Sequence, residues 1–336
     1  MFNPSKATEG KTVTEKKIIA VVGATGSQGG GIARAILDDP TGPFALRALT
    51  RDAGSPKARE LAARGAEVVE ADLDDEASVR RAFEGAYGAF VVTNFWAQLT
   101  PEQEAARPRH QMEKDQAEIA ARAARDAGLK HVVWSTLEDT RPHFAHVGSG
   151  APTLVDGYKV PHFDAKGEAN AFFTGYGVPT TFLETTFYYE SLLQGQGPAR
   201  DANGELVLSL AMDESPLSLV AAEDIGRTAY GIFLAGPRYI GRTVGLAGAH
   251  YTGQELADLF TEVLGEKVTY RPLTHDQLRA AGFPLADEIA GMFQFYAEAA
   301  ESFVGHRDLD EIRKINPRLK PLPEWVAEHR DEFLPN

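Results

Sequence analysis

From Lys17 onward, short apolar runs alternate with amphipathic stretches. KIIAVV (17–22) is a continuous apolar run, the pattern of a strand buried on both faces. GGIARAILDD (30–39) follows, with Ile32, Ala35 and Ile36 at helical spacing. The couple then recurs. FALRALT precedes KARELAARG, which ends at Gly65; AEVVEADL precedes ASVRRAFEG. AFVVTNFW precedes DQAEIAARAARDAG, where Ile119, Ala123 and Ala127 are expected inward and Gly128 is the expected stop. HVVWST precedes GEANAFFTGYG, and PTTFLETTF makes a sixth strand. This alternation predicts an α/β fold, a doubly wound parallel sheet of the Rossmann type, with a smaller mixed α/β subdomain on the substrate side.

Two regions break the rhythm. Residues 138–161 hold Gly148, Gly150, Pro142, Pro152 and Pro161 and are expected to form a lid-like loop. After Tyr188, short strands (GELVLSLA, TVGLAG, KVTYRPL) mix with helices (TGQELADLFTEVLG, PLADEIAGMFQFYAEAAE, PEWVAEHRDEF). The expected division is a polar lead-in at 1–16, a nucleotide-binding domain at 17–187 and a C-terminal subdomain at 188–336 that returns chain to the sheet. Phe293 and Tyr296 lie at helical spacing, with Phe295 beside them, and are expected in the core or a subunit contact.

The first strand runs into VVGATGSQGG, where Gly23, Gly26 and Gly29 stand three apart before the first helix. Free N–H groups and the dipole at a helix start attract a phosphate. Gly23 would permit the tight turn, Gly26 would let backbone approach a pyrophosphate, and Gly29 would let helix and strand pack closely. The spacing is G-x-x-G-x-x-G, unlike the G-x-G-x-x-G of dehydrogenases. The second strand ends at Thr50-Arg51, with Lys57 beyond, where NAD sites place an acid. A cation there suits a 2′-phosphate and favours NADP(H) over NAD; the plain alternative is a surface charge. Asp72 either meets the adenine amine or caps the next helix.

Composition removes several functions. The net charge of -14 argues against direct nucleic-acid binding. The absence of cysteine excludes disulfides, thiol nucleophiles and thiolate metal sites. His131, His143 and His146 have no carboxylate at metal spacing, so no metal is expected. MFNPSKATEGKTVTEKK lacks the apolar core of a signal peptide, and no run is long enough to span a membrane, so a cytoplasmic location is expected.

Six ordered motifs carry a family resemblance: GATGSQGG at Gly23, LTRD at Leu49, GAEVVEADLDD at Gly65, VVTNFW at Val91, STLED at Ser135 and PHFDAKGE at Pro161. With TTFYYESLL at Thr185 and GFPLADEIAGMFQFYAE at Gly282, the chain resembles the NmrA-like family of atypical short-chain dehydrogenases/reductases, including its human NADPH-sensor member. The resemblance implies that Gly23, Ala24, Thr25, Gly26, Ser27 and Gln28 cradle the pyrophosphate of NADP(H). It implies Arg51, Ser55 and Lys57 at the 2′-phosphate, Asp72 and Leu73 at the adenine, and Thr93, Asn94 and Phe95 along the ribose and nicotinamide. It further implies Lys166 at the nicotinamide ribose, Tyr188, Tyr189, Glu190 and Ser191 over the nicotinamide end, and a homodimer.

Reductases of the wider superfamily use Tyr-x-x-x-Lys and a serine. Here the spacing gives His162-x-x-x-Lys166, and Ser135 ends the fifth strand where that serine would lie. His162 is either a proton donor or, the favoured reading, a loop residue before the Lys166 helix. Tyr158, Tyr188 or Tyr189 could supply a phenol instead. Relatives resembling isoflavone reductases rely on the lysine without that tyrosine. The expectation is therefore an NADP(H)-binding redox sensor or regulator acting through protein partners. The alternative is an NADPH-dependent reductase of a small carbonyl, quinone or enone.

Overall fold

The computed structural model describes residues 15–334, so most of the expected lead-in lies outside the described residues. Six strands alternate with helices as the pattern predicts: β1 (Lys17–Val21), β2 (Phe44–Thr50), β3 (Glu67–Glu70), β4 (Gly88–Val91), β5 (His131–Thr136) and β6 (Thr180–Glu184). The strand Thr243–Gly245 returns from the C-terminal half and pairs parallel with β6. The seven-stranded sheet runs Thr243–Gly245, β6, β5, β4, β1, β2, β3, and every pairing in it is parallel. After β3 the chain crosses to the other side of β1. The carboxyl ends of β1 and β4 therefore flank the switch point at which open α/β sheets bind ligands.

Side chains of β1 alternate between two layers. Ile19 and Val21 pack with α1 (Ser27–Leu37) and α8 (Ala222–Leu234), through Ile32, Ile36, Ile225 and Ile232. Ala20 and Val22 pack toward α3 (Glu76–Phe83), α5 (Arg109–Asp126) and α7 (Pro161–Gly175), through Val79, Ala121 and Phe173. Each fully buried isoleucine or phenylalanine contributes about 1.5–3 kcal/mol. Trp134 of β5 stacks on Phe173 at 5.1 Å and donates its indole N–H to Asn170 at 2.9 Å, so its one polar atom is satisfied.

Three elements differ from the pattern. Helix α5 starts at Arg109; Ala123 is buried as expected, together with Glu113, Ala117, Ala120, Ala121 and Ala124, while Ile119 and Ala127 are half-buried. Small side chains let that helix lie close on the sheet, so alanines outcompete the isoleucine for the inner face. Helix α7 starts at Pro161, whose missing N–H suits a first turn, so His162 lies within the helix that carries Lys166 and is not a loop residue before it. Residues 138–161 are not an open lid. They include a short helix, Arg141–Val147, and bury Phe144, Ala151 and Val160 in the C-terminal core. Asp164 pins both ends of this segment, accepting from the Thr140 N–H and hydroxyl (2.8 and 2.7 Å) and from the Lys159 and Val160 N–H groups (2.7 and 3.0 Å).

The C-terminal half adds two three-stranded sheets, one built on Leu217–Val220 and one on Leu206–Leu208. They pack with the helices Gly253–Leu264 and Ala286–Glu298 around Phe260, Phe293 and Tyr296. Phe163 of α7 belongs to this core, and Phe173 of the same helix belongs to the sheet core. The first turn of α7 thus stands at the junction of the two cores, carrying His162 and Lys166.

Candidate functional site

A cleft of about 1370 Å³ opens at the switch point. Its floor is the turn between β1 and α1. Gly23 has φ +64°, a conformation that side chains resist, and its carbonyl accepts from the Gly26 N–H at 2.8 Å. A Cβ on Gly29 would lie 2.2 Å from the Gly23 carbonyl oxygen, so only glycine permits this closeness. No side chain caps α1, and Gly26, Ser27, Gln28 and Gly29 line the cleft with Thr25. The first N–H groups of a helix have no partner within it, and here they open on the cleft. Ala24 stays beneath, buried, its N–H bonded to the Leu49 carbonyl.

One branch of the cleft reaches the ends of β2 and β3. Arg51 lines it, exposed, with no carboxylate partner among the described residues. Ser55 lines it too while capping the helix Pro56–Ala63 through the Ala58 N–H at 3.3 Å. Lys57 is exposed on that helix outside the lining. Asp72 and Leu73 form the opposite wall. Asp72 is not the helix cap: it accepts from the Asp74 N–H, and Asp75 caps α3. Arg107 bridges to Asp74 at 2.8 Å and closes the rim, a contact the linear sequence does not announce.

The other branch carries three groups of polar contacts. Thr93, Asn94 and Phe95 leave the end of β4 and line it, as expected. The Lys166 ammonium donates to the Thr93 hydroxyl at 2.7 Å and lies 3.0 Å from Glu113 Oε1. The Thr93 hydroxyl donates to the same Glu113 oxygen at 2.7 Å. The Ser135 hydroxyl donates to Gln28 Oε1 at 2.7 Å, and the Gln28 amide donates to the Tyr188 phenol at 2.6 Å. Tyr188 thereby accepts from Gln28 and also has the Thr185 side chain as a hydrogen-bond partner. Burial pushes its pKa up to about 12, so it stays a neutral donor. His162 packs its ring against Trp96 at 5.0 Å, and both its ring Nδ1 and its backbone N–H meet Glu288, the latter at 2.8 Å.

Two other phenols lie elsewhere. Tyr189, expected over the cleft, is buried in the C-terminal core, 5.6 Å from Trp325 and bonded to the Lys320 carbonyl. Tyr188 ends the strand Phe187–Tyr188 and Tyr189 begins a short 3-10 helix, so the chain turns between them and only Tyr188 looks into the cleft. Tyr158 donates to Glu168 at 2.9 Å and does not line the cleft. Glu190 and Ser191 do line it; the Glu190 carboxylate accepts from the Ala222 N–H at 3.0 Å and caps α8. Burial raises the Glu190 pKa.

Beyond Lys166 the walls become apolar: Phe95, Trp96, Phe283, Leu285, Ile289 and Met292. Leu285 holds φ +63° at the start of the helix Ala286–Glu298, turning its side chain to the rim at a conformational cost. No residue of 138–161 lines the cleft; the cover comes from 94–107 and 283–289.

Glu113 and Glu288 were not anticipated. Each sits on the apolar stripe of its helix, Glu113 with Ala117 and Ala121, Glu288 with Met292 and Phe295. A carboxylate on a buried stripe is the signal that would have found both.

A model of the NmrA-like family matches residues 15–326. An NmrA-like family domain-containing oxidoreductase of Aspergillus japonicus, himF, is 30% identical over 292 residues, covering 83% of each chain. The crystal structure of NmrA, a negative transcriptional regulator, in complex with NADP superposes with a TM-score of 0.73 at 22% identity, covering 94% of this chain and 95% of that one. The Citrobacter sp. triphenylmethane reductase complexed with NADP(H) gives 0.69 at 22%, covering 93% and 99%. The chain belongs to the NmrA-like family.

Proposed function

We propose that the protein is an NADP(H)-dependent reductase of a small apolar acceptor. The observation that carries this reading is the second branch of the cleft, where a buried ammonium and a neutral phenol border an aromatic chamber with room beyond them. The cradle fits a dinucleotide on two counts. The turn approaches so closely that a Cβ at Gly29 is excluded, and Arg51 lines the cleft with no carboxylate partner among the described residues. The N–H groups at the start of α1 would hold the pyrophosphate, and Arg51 with Ser55 the 2′-phosphate. That the regulator NmrA and the triphenylmethane reductase are both described as complexes with NADP(H) supports the same cofactor.

NADPH, when bound, supplies the hydride. The chain supplies the rest. Lys166 would bond the ribose hydroxyls and set a positive charge beside the reacting centre. A carbonyl or enone oxygen gains negative charge in the transition state, and a preorganised donor there is worth about 3–4 kcal/mol. The Tyr188 hydroxyl would turn its hydrogen to meet that oxygen. His162 is held by Glu288 and helps wall the chamber, which agrees with reading it as no acid. Aromatic walls exclude water.

The sensor reading keeps one observation in its favour: the tyrosine of Tyr-x-x-x-Lys is absent, and the histidine in its place has its ring engaged by Glu288. The test uses NADPH deuterated on either face of the nicotinamide, with quinones, aldehydes and enones as acceptors and mass spectrometry as readout. Transfer from one face, reduced about a hundredfold or more in Lys166→Ala, is expected. No transfer to any acceptor, with NADPH binding confirmed in the same samples, would leave the sensor reading standing alone.

A further inference from the structure

We propose that Glu113 is a positioning residue for Lys166, holding that side chain as an ammonium directed across Thr93 into the cleft. The inference rests on the reading of Lys166 given above. The three groups close a triangle: Lys166 Nζ to Thr93 Oγ1 is 2.7 Å, Thr93 Oγ1 to Glu113 Oε1 is 2.7 Å, and Lys166 Nζ to Glu113 Oε1 is 3.0 Å. Each contact fixes the direction of the other two.

The burial of Glu113 has no packing purpose. It is 1% exposed, at the head of an alanine stripe where another alanine would pack without desolvation cost. Its Oε2 has no hydrogen-bond partner. Asp164 shows what a structural acid looks like in the same interior, with two bonds on each oxygen and all four going to Thr140, Lys159 and Val160. Glu113 gives its carboxylate to Thr93 and Lys166 alone.

Glu113 of α5 meets the ammonium from behind the cleft lining, and the ionisable groups that line the cleft near Lys166 are His162 one turn back on α7, Tyr188 and Glu190, and Tyr296. His162 is engaged by Glu288. From β5, Trp134 presents its ring 5.1 Å from the ammonium, and Ser135 bonds Gln28. Lys114, the neighbour of Glu113, pairs with Glu168 instead. Glu113 is therefore the counter-charge of Lys166. A buried lysine that loses such a partner gives up its proton at lower pH. A neutral amine in that place no longer donates three hydrogens or carries the charge the acceptor oxygen needs.

The test is trace acetylation of the full-length protein, without cofactor, by acetic anhydride at pH 8. Modification of Lys166 is quantified by mass spectrometry against exposed Lys57. In Glu113→Gln, the Lys166/Lys57 ratio is expected to rise about tenfold, because the uncharged amine is the form that acetylates; Glu113→Asp keeps the charge and should stay near the parent ratio. An unchanged ratio in folded Glu113→Gln overturns the proposal. Should that variant not fold, melting decides. Lys166→Met strands a buried carboxylate, so Lys166→Met with Glu113→Gln should melt higher than Lys166→Met alone; equal or lower melting overturns the proposal. No cofactor or acceptor enters either measurement, so failure here is distinct from failure of the reductase reading.

Discussion

The two ends of the cleft are built on different principles. At the proposed phosphate end the cleft is lined by backbone from one contiguous stretch within residues 23–29, with Arg51 added from just past the next strand. At the other end, where the proposed reaction would take place, the groups are side chains brought from β4, α5, β5, α7, the strand Phe187–Tyr188 and the helix Ala286–Glu298. The first end depends on the closeness of two pieces of backbone. The second depends on buried charges finding each other across the fold. The first should fail by steric exclusion and the second by loss of electrostatic partners.

The largest effect should come from Gly29→Val. Its Cβ alone would sit 2.2 Å from the Gly23 carbonyl oxygen, so the turn must open. NADPH affinity is expected to fall at least about a hundredfold, as overpacking costs about 1–3 kcal/mol before any lost phosphate contact is counted. Titration calorimetry would show it; near-parental affinity would mean that the phosphates lie elsewhere.

Next in size is Glu288→Ala, which strands the His162 N–H and ring nitrogen in the interior. Leaving buried polar groups unpaired costs about 1–3 kcal/mol each. The melting temperature should drop by several degrees while NADPH affinity changes little. Equal losses in both would show that the two ends are not separable.

Arg51→Ala should weaken NADPH binding about tenfold and leave NADH binding nearly unchanged, the size of one charge-assisted contact. The difference should shrink at high salt, because Arg51 is exposed. A parallel loss for both cofactors would remove Arg51 from the 2′-phosphate.

The smallest effect concerns pH. Burial lifts the Tyr188 phenol to about 12, so its neutral donor form persists throughout the ordinary working range and is lost only as pH rises through that value. Tyr188→Phe should lower hydride transfer severalfold, the worth of one neutral hydrogen bond. The shape of the pH–rate curve below about pH 10 should not change. A limb that disappears in the variant would place the phenol's titration far lower.

The same contrast explains what the linear sequence discloses. The sheet, the glycine turn, Arg51 and the end of β4 are readable because each depends on a local pattern: an apolar run, a spacing of three, the last residue of a strand. The place of Tyr189 is not readable because motif proximity does not say that the chain turns from strand to 3-10 helix between Tyr188 and Tyr189. The segment 138–161 was misread because its glycines and prolines suggest an open loop, whereas Asp164, Phe144 and Val160 fasten it to the core. Glu113 and Glu288 were missed because their partners lie 53 and 126 residues away along the chain.

One feature of the sheet bears on how the protein is made. The helix that follows the glycine turn, α1, is backed by α8, and the sheet edge beside β6 is closed only by Thr243–Gly245. Both covering elements are translated long after the glycine turn has left the ribosome. Contacts of such wide sequence separation form late. A nascent chain ending near residue 187 would expose Ile32, Ile36 and the bare edge of β6, inviting aggregation and chaperone capture. Cofactor competence should therefore arise in one step near the end of synthesis, and a fragment cut at 187 should be insoluble instead of forming a working half.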